Sequence, residues 1–565
     1  MRTKFLFIAV MLVLTACSGN APKQLIATGG PRYGGELRFM SPEKITALLP
    51  VSASDVYTQR ISNQLFETLL KIDLSGTKIV PCLAESFTVS RDGNECILKI
   101  RKGVFFHDDP CFSGGKGREL TAQDVKFSLE FACSGMPENE VGNLLINKIA
   151  GARIYHASTT GSIAGKEISG IRVANDQTLH ITLVSPLVGF DKILTHSSLG
   201  IFPKEAFEAY GHNIRKHPVG TGAFMLESWT AKGISLKRNP NYWKKDKFGN
   251  QLPFLDKVSL TYSKNKKDEL LAFRRETIDL ILKIPADEIE NTLGTLQEAQ
   301  AGKNIKHRVD SKTSLSLNYF GMANGKAPFS DIRVRKAFNL ALDRNALVNI
   351  WQKGEGYPSL NGFVPPMEGY PTNEIKGFTF DVAQAKSLLA QAGFPDGAGF
   401  PPLEIYVNSR EGNMIHLLAR GVTEQLKQNL NIDLTIRLCS LEEREAAVKS
   451  GKALIWKSGW VADYPDPENF LNLFYSGGSA KTSNPFQYRS QQYNANLEAA
   501  TRERNAAERT RLLLQCDQQI IDDAIVIPLL NDDFITMANA RIRNFETNPM
   551  EILDFSAIFI KEPKK

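Results

Sequence analysis

Asn431–Trp460 reads NIDLTIRLCSLEEREAAVKSGKALIWKSGW. Apolar and polar side chains alternate from Ile432 to Leu438, the period of a strand with one covered face. LEEREAAV, Leu441–Val448, is rich in good helix formers. ALIWKSGW, Ala453–Trp460, returns to a strand. Strand, helix and strand in succession describe an α/β unit.

The alternation continues upstream. Glu411–Gln428 predicts a helix with Ile415, Leu418, Ala419, Val422 and Leu426 inward. DVAQAKSLLAQAGF predicts another, started by Asp381 and stopped at Gly393. Phe329–Trp351 predicts one long helix, capped by Asp331, with Val334, Ala337, Phe338, Ala341 and Leu342 as its apolar stripe. Downstream, GWVADYPDP (Gly459–Pro467) bends at glycine and proline and holds two acids without a base. Asp463 lies between Val461-Ala462 and Tyr464-Pro465. It reads either as the cap of a turn or as a carboxylate offered to a ligand, and the residues alone favour the cap. Asp466 reads as a turn residue. The aromatic residues Trp456, Trp460, Tyr464, Phe470 and Phe474 read first as core.

The N-terminal half also mixes strands and helices. Gly35–Met40 alternates like a strand, and Asp55–Leu70 predicts a helix with Val56, Ile61, Leu65 and Leu69 inward. PCLAESFTVSRDGNECILKI predicts a hairpin around Asp92-Gly93. Thr121 and Asp124 have capping-box spacing at the start of a helix. Ser169–Ala174 and Thr178–Leu183 predict two strands.

Met1-Arg-Thr-Lys4 followed by FLFIAVMLVL has the form of an export signal. The apolar run is half the length of a membrane span, which takes about 20 residues. Leu14-Thr-Ala-Cys17 resembles a lipobox, which implies cleavage before Cys17 and lipidation of its thiol. The Gly/Pro-containing residues 17–30 then predict a flexible tether.

The 565 residues are too many for one core. The net charge of +7 is spread along the chain without a basic block, so no nucleic acid is expected. Cys82 with Cys96, and Cys111 with Cys133, are possible disulfides, and free buried thiols are equally open. No GxSxG, HExxH or Walker sequence is present, and Ser41-Pro-Glu-Lys44 lacks the companion motifs of an SxxK enzyme. His107-Asp108-Asp109 reads as a hydrated loop rather than a metal ligand set. Neither catalysis nor a cofactor is expected.

A series of segments resembles one family in that family's order. It runs Gly34-Gly-Glu-Leu-Arg38, LFETLLKID (65–73), VPCLAESFTVSRDG (80–93), ILKIRKGVFFHDDP with LTAQDVKFSLE, HPVGTGAFMLESW, RNPNYW, APFSDIRVRKAFNLALDR and GWVADYPDPENFL. Cys111–Glu119 is an addition within it. The chain is similar to the family 5 extracellular solute-binding proteins of ABC importers, the oligopeptide- and dipeptide-binding group. That resemblance implies an α/β fold of the periplasmic-binding-protein-like type II (cluster C). Two hinged lobes would carry an inserted third domain: lobe I over 31–80, 195–310 and 529–565, the insert over 81–194, and lobe II over 311–528, after a signal peptide at 1–16.

It also implies capture of an extended peptide, with Asp463 meeting its ammonium. Gly459, Trp460 and Tyr464 would lie beside the ligand. Arg410, or else Arg420, would meet its carboxylate. A monomer in the periplasm, held to a membrane through Cys17 (on the cell surface in a Gram-positive host), would deliver peptides to a permease and ATPase. The alternatives within the fold are a nickel chelate, haem or an oligosaccharide; a secreted hydrolase ranks below them.

Overall fold

In a computed structural model, residues 25–53, 55–74, 76–263, 265–284, 307–352, 354–477 and 484–561 are described. The signal segment and Cys17 lie outside them. A seven-stranded sheet runs in the order His307–Thr313, Asp533–Asn539, Leu280–Leu282, Glu36–Ser41, Lys257–Tyr262, Gly233–Arg238, Phe224–Thr230. A six-stranded sheet runs Tyr357–Pro358, Val526–Asn531, Ser316–Met322, Ile455–Val461, Leu403–Asn408, Leu434–Cys439. A smaller four-stranded sheet, Ala84–Val89, Glu95–Ile100, Thr178–Thr182 and Ile171–Asn175, is inserted in sequence between Glu36–Ser41 and Phe224–Thr230 of the seven-stranded sheet.

The strand–helix–strand stretch Asn431–Trp460 takes its predicted form. Leu434–Cys439 and Ile455–Val461 flank the helix Leu441–Lys449, which Ser440 caps by accepting from the Glu443 amide. Leu403–Asn408 pairs in parallel with both strands. The six-stranded sheet is covered on two sides by separate apolar clusters, one built on Phe363, Phe470 and Tyr493, the other on Phe338, Leu418 and Val422. The seven- and four-stranded sheets share one continuous core, which includes Leu37, Leu98, Phe131 and Leu260.

Several elements depart from their sequence reading. The helix expected over Phe329–Trp351 breaks. Ile332–Leu340, capped by Asp331, ends near Ala341, and Asp343 caps a second start by accepting from the Ala346 amide. A buried Arg344 forces this break, because its guanidinium donates to the Asn339, Leu342 and Pro528 carbonyls. The helix expected to Leu70 ends at Leu65. Ile415 is exposed, whereas Leu418, Ala419, Val422 and Leu426 are buried as expected. Residues 25–30, assigned to the tether, are fastened to the fold: the Thr28 amide donates to Asn250 Oδ1, and Ala27 joins the core.

All six described cysteines are free thiols. The hairpin register explains the first pair, since Cys96 stands opposite Val89 while Cys82 precedes Ala84 at the far end. Burial and the nearby Glu67 carboxylate push the Cys82 thiol up to about 12, which keeps it protonated.

His107 is not in a hydrated loop. It is buried and clasped by the glycine turn of HPVGTG. The Gly220 amide donates to Nδ1 at 3.3 Å, so the proton sits on Nε2, which donates to the Gly222 carbonyl at 2.9 Å. Burial pulls its pKa down to about 4. The unfolded chain binds that proton near pH 6.5 and the folded chain does not, so stability is complete above pH 6.5 and is lost as pH falls. The loss approaches about 3 kcal/mol near pH 4 from this group alone. Urea unfolding between pH 7 and 4.5 should show that slope, and His107→Asn should be weaker at pH 7 but shallower in its acid loss.

Candidate functional site

The two large sheets are joined by two adjacent crossings. His307–Thr313 leads through Ser314 and Leu315 into Ser316–Met322, and Val526–Asn531 leads through Asp532 into Asp533–Asn539. The crossings are tied together where the Ser314 amide donates to the Asp532 carbonyl at 2.9 Å. The Asp532 carboxylate accepts from Asn318 Nδ2 at 2.8 Å. It also draws two lysines: its charge is the largest cause that raises Lys283, on the seven-stranded side, and it opposes the desolvation of Lys457 on the six-stranded side.

Lys457 begins the functional end of the strand Ile455–Val461. Its ammonium is buried and donates to Asn318 Oδ1 at 2.8 Å and to the Ser458 carbonyl at 2.7 Å. These are neutral acceptors, and burial pulls the lysine down to about 8. One edge of the strand pairs fully with Ser316–Met322. The other edge pairs with Leu403–Asn408 only at Ile455 and Trp456. Among the described residues, Gly459, Trp460 and Val461 have no strand on that second edge. Gly459 is exposed and lacks a Cβ, which leaves the backbone bare beside the Lys457 ammonium.

Asp463 follows this free edge. It does not cap the next helix; Asp466 does, by accepting from the Glu468 amide. Asn469 holds Asp463 instead, giving a hydrogen bond from Nδ2 to Oδ2 at 3.3 Å and accepting from the Asp463 amide at 3.1 Å. The same Asn469 oxygen accepts the Trp460 indole N–H at 2.8 Å, which fixes the ring. Asp463 Oδ1 faces His196, reached from the other lobe, at 3.8 Å. The Ser198 amide donates to His196 Nδ1, so the Nε2–H points at the carboxylate, and burial lowers the histidine so that the ring is neutral. The Asp463 side chain remains 36% exposed.

The other sequence candidates separate. Tyr464 is buried in the core of the opposite lobe and donates to Glu468 Oε2 at 2.6 Å, so it is a docking residue. Arg410 is exposed in the turn after Leu403–Asn408, at the same sheet end as Trp460 by register. Arg420 lies a further turn along, paired with Glu424 at 3.2 Å and stacked over Trp351. Asp466 is more than a turn residue, since it also receives Lys192 and Arg509. Lys457 and His196 escaped the sequence reading. The signal for Lys457 was a lysine inside the apolar strand IWKSGW; His196 carried none. The residues flanking His196, Thr195 and Ser197, line a cavity of about 240 Å³ together with Phe66, Trp243, Lys71 and Asp554.

Residues 78–482 match the model of the bacterial extracellular solute-binding proteins, family 5. The chain is 26% identical to the glutathione-binding protein GsiB of Salmonella choleraesuis, over 89% of this chain and 90% of that protein. It is 27% identical to the periplasmic oligopeptide-binding protein OppA of Escherichia coli, over 88% of this chain and 85% of that one. The periplasmic binding protein DppA of Helicobacter pylori, solved with the peptide STSA, is similar with a TM-score of 0.77 and 25% identity. That match covers 94% of this chain and 99% of the solved one.

Asn469→Ala leaves the Asp463 amide and the Trp460 indole without their acceptor. The variant should lose about 2 kcal/mol in chemical denaturation. Hydrogen exchange at the Asp463 amide should accelerate, while strands of the seven-stranded sheet keep their protection.

Proposed function

The chain belongs to the bacterial extracellular solute-binding proteins of family 5, and from that premise we propose that it captures short extended peptides between its two lobes. The observation that carries this reading is the free edge Gly459–Val461, which ends on the Asp463 carboxylate. An open strand edge offers amide and carbonyl groups to any extended backbone, whatever its side chains. A peptide's ammonium, taken out of water by closure, needs an anion. Asp463 is that anion, because its Oδ1 meets only a neutral imidazole in this structure.

The carboxylate partner in this reading is Lys457 rather than Arg410. It is a buried ammonium on the same strand as the free edge, held by the neutral oxygens of Asn318 and Ser458, whereas Arg410 lies in solvent. The cavity beside His196 gives room for a first side chain. Delivery to a membrane permease and its ATPase, by a monomer tethered through lipid on Cys17, completes the proposal. No helix among the described residues is long and apolar enough to cross a membrane.

Asp463→Ala should weaken free trialanine by about 100-fold and N-acetyl-trialanine by less than about threefold, by calorimetry. Equal loss for both peptides would leave Asp463 a structural residue. Affinity should also fall as pH rises through about 8, where Lys457 loses its proton. The amino end of the ligand titrates in the same range, at about 7.7–8.0. The deciding comparison is therefore trialanine against its C-terminal amide: only the acid should show the lysine's share, and Lys457→Met should abolish the difference.

A further inference from the structure

Asp466, three residues beyond Asp463, is the meeting point of three segments. Its side chain is 2% exposed. Oδ1 accepts from Arg509 Nη2 at 2.8 Å, a residue of the same lobe. Oδ2 accepts from Lys192 Nζ at 2.7 Å, a residue of the short helix Phe190–Ile193 that follows the four-stranded sheet. Oδ1 also accepts from the Glu468 amide at 2.9 Å and so fixes the start of Pro467–Leu471.

We propose that Lys192 is a closure latch: it crosses from the inserted domain to Asp466 and thereby positions the Asp463 loop over a bound ligand. This rests on the peptide-binding reading for its ligand, though not for its geometry.

The asymmetry of the two cations makes the contact a latch. Arg509 stays with Asp466 whatever the lobes do, so the buried carboxylate keeps one partner when they part. Stranding a buried charge is costly, and this arrangement avoids it. Lys192 is 29% exposed and loses little by returning to water. The pair therefore forms and breaks with movement of the lobes without unfolding either. Besides the Asp463–His196 approach and the buried Tyr464 ring, the described residues of the seam around it carry few links. Two further links are peripheral: the Val188 amide donates to the Thr501 carbonyl at 2.8 Å, and Arg504 Nη1 to the Arg91 carbonyl at 2.6 Å. A cavity of about 210 Å³, lined by Phe87, Pro186, Phe190 and Arg504, is left in it, in contrast to a close-packed core.

The latch also reaches the ligand loop directly. Tyr464, between Asp463 and Asp466, is buried in the same core cluster as Phe190, Ile193 and Leu194 of that segment. Gly189 precedes Phe190 at the start of that segment. Its φ of +92° is in the left-handed region that suits glycine. With Tyr464 seated and Asp466 held, Asp463 is fixed from its C-terminal side while Asn469 fixes it laterally.

Lys192→Met keeps the stem and removes the charge. It should raise the trialanine dissociation rate by about tenfold in stopped-flow displacement, with the association rate changed less than about twofold. Small-angle scattering should show the ligand-free variant more expanded than the ligand-free parent. Lys192→Arg, which can still reach Asp466, should restore the parent's values in both experiments. An unchanged dissociation rate with unchanged scattering overturns the latch. Should the parent fail to bind trialanine or glutathione at all, the peptide reading falls, while the ligand-free scattering comparison still decides the latch.

Discussion

The structure turns on the crossing at Ser314 and Asp532. Two strands leave one sheet and enter the other with one or two residues between them, and those residues bond to each other. A connection this short fixes which ends of the sheets face one another. Among the described residues it also leaves two short connections to twist, the arrangement of a hinge. Asp532 adds electrostatics to that geometry, with Lys283 on one side, Lys457 on the other and Asn318 between. Strand Ile455–Val461 starts in the six-stranded sheet and ends at the cleft because its neighbour Ser316–Met322 emerges from this crossing.

Buried carboxylates mark the junctions elsewhere too. Glu67 accepts from Tyr242 at 2.9 Å, Trp243 at 2.7 Å and Thr221 at 3.1 Å, and so gathers segments more than 150 residues apart. Asp279 ties the strand Glu36–Ser41 to the C-terminal segment through Arg38 and Arg541. Each such group is costly to bury alone and tolerable only when every partner arrives. A discontinuous lobe assembled from distant pieces gains specificity from such requirements, because a wrong pairing strands the charge.

Local rules made much of this legible. The Asp92-Gly93 hairpin, the Thr121/Asp124 capping box and the caps at Asp331 and Asp381 depend on neighbours within a few residues, and they appear as expected. The central strand Ser316–Met322 was not legible, because burial on both faces erases the period of two. The break after Leu340 was hidden for another reason: Arg344 reaches the Pro528 carbonyl of a strand 184 residues away. At the site, Asp463 was visible through its odd setting in the loop. His196 was not, since its role exists only when the other lobe is brought opposite. Lys457 could be seen as a lysine in an apolar strand, but its burial against the neutral oxygens of Asn318 and Ser458 is a property of packing.

The spacing of the charges limits what the cleft can hold. Strand residues advance about 3.3 Å each, so the stretch from Lys457 to Val461, whose bare part is Gly459–Val461, measures about 13 Å. An extended peptide has the same rise. On the proposed reading, with the ammonium at Asp463 beyond one end and the carboxylate at Lys457 near the other, the fit would be a peptide of about three to five residues. Such a ligand would run antiparallel to the strand, its backbone on the edge that Leu403–Asn408 leaves open. A shorter peptide would leave Lys457 with only Asn318 and Ser458 as acceptors, unless water carried the carboxylate's charge to it. A longer one would have to pass Lys457 toward the hinge, where Asp532 repels a carboxylate. On that reading the charged groups would measure length while the bare backbone ignores sequence, and the same strand would do both.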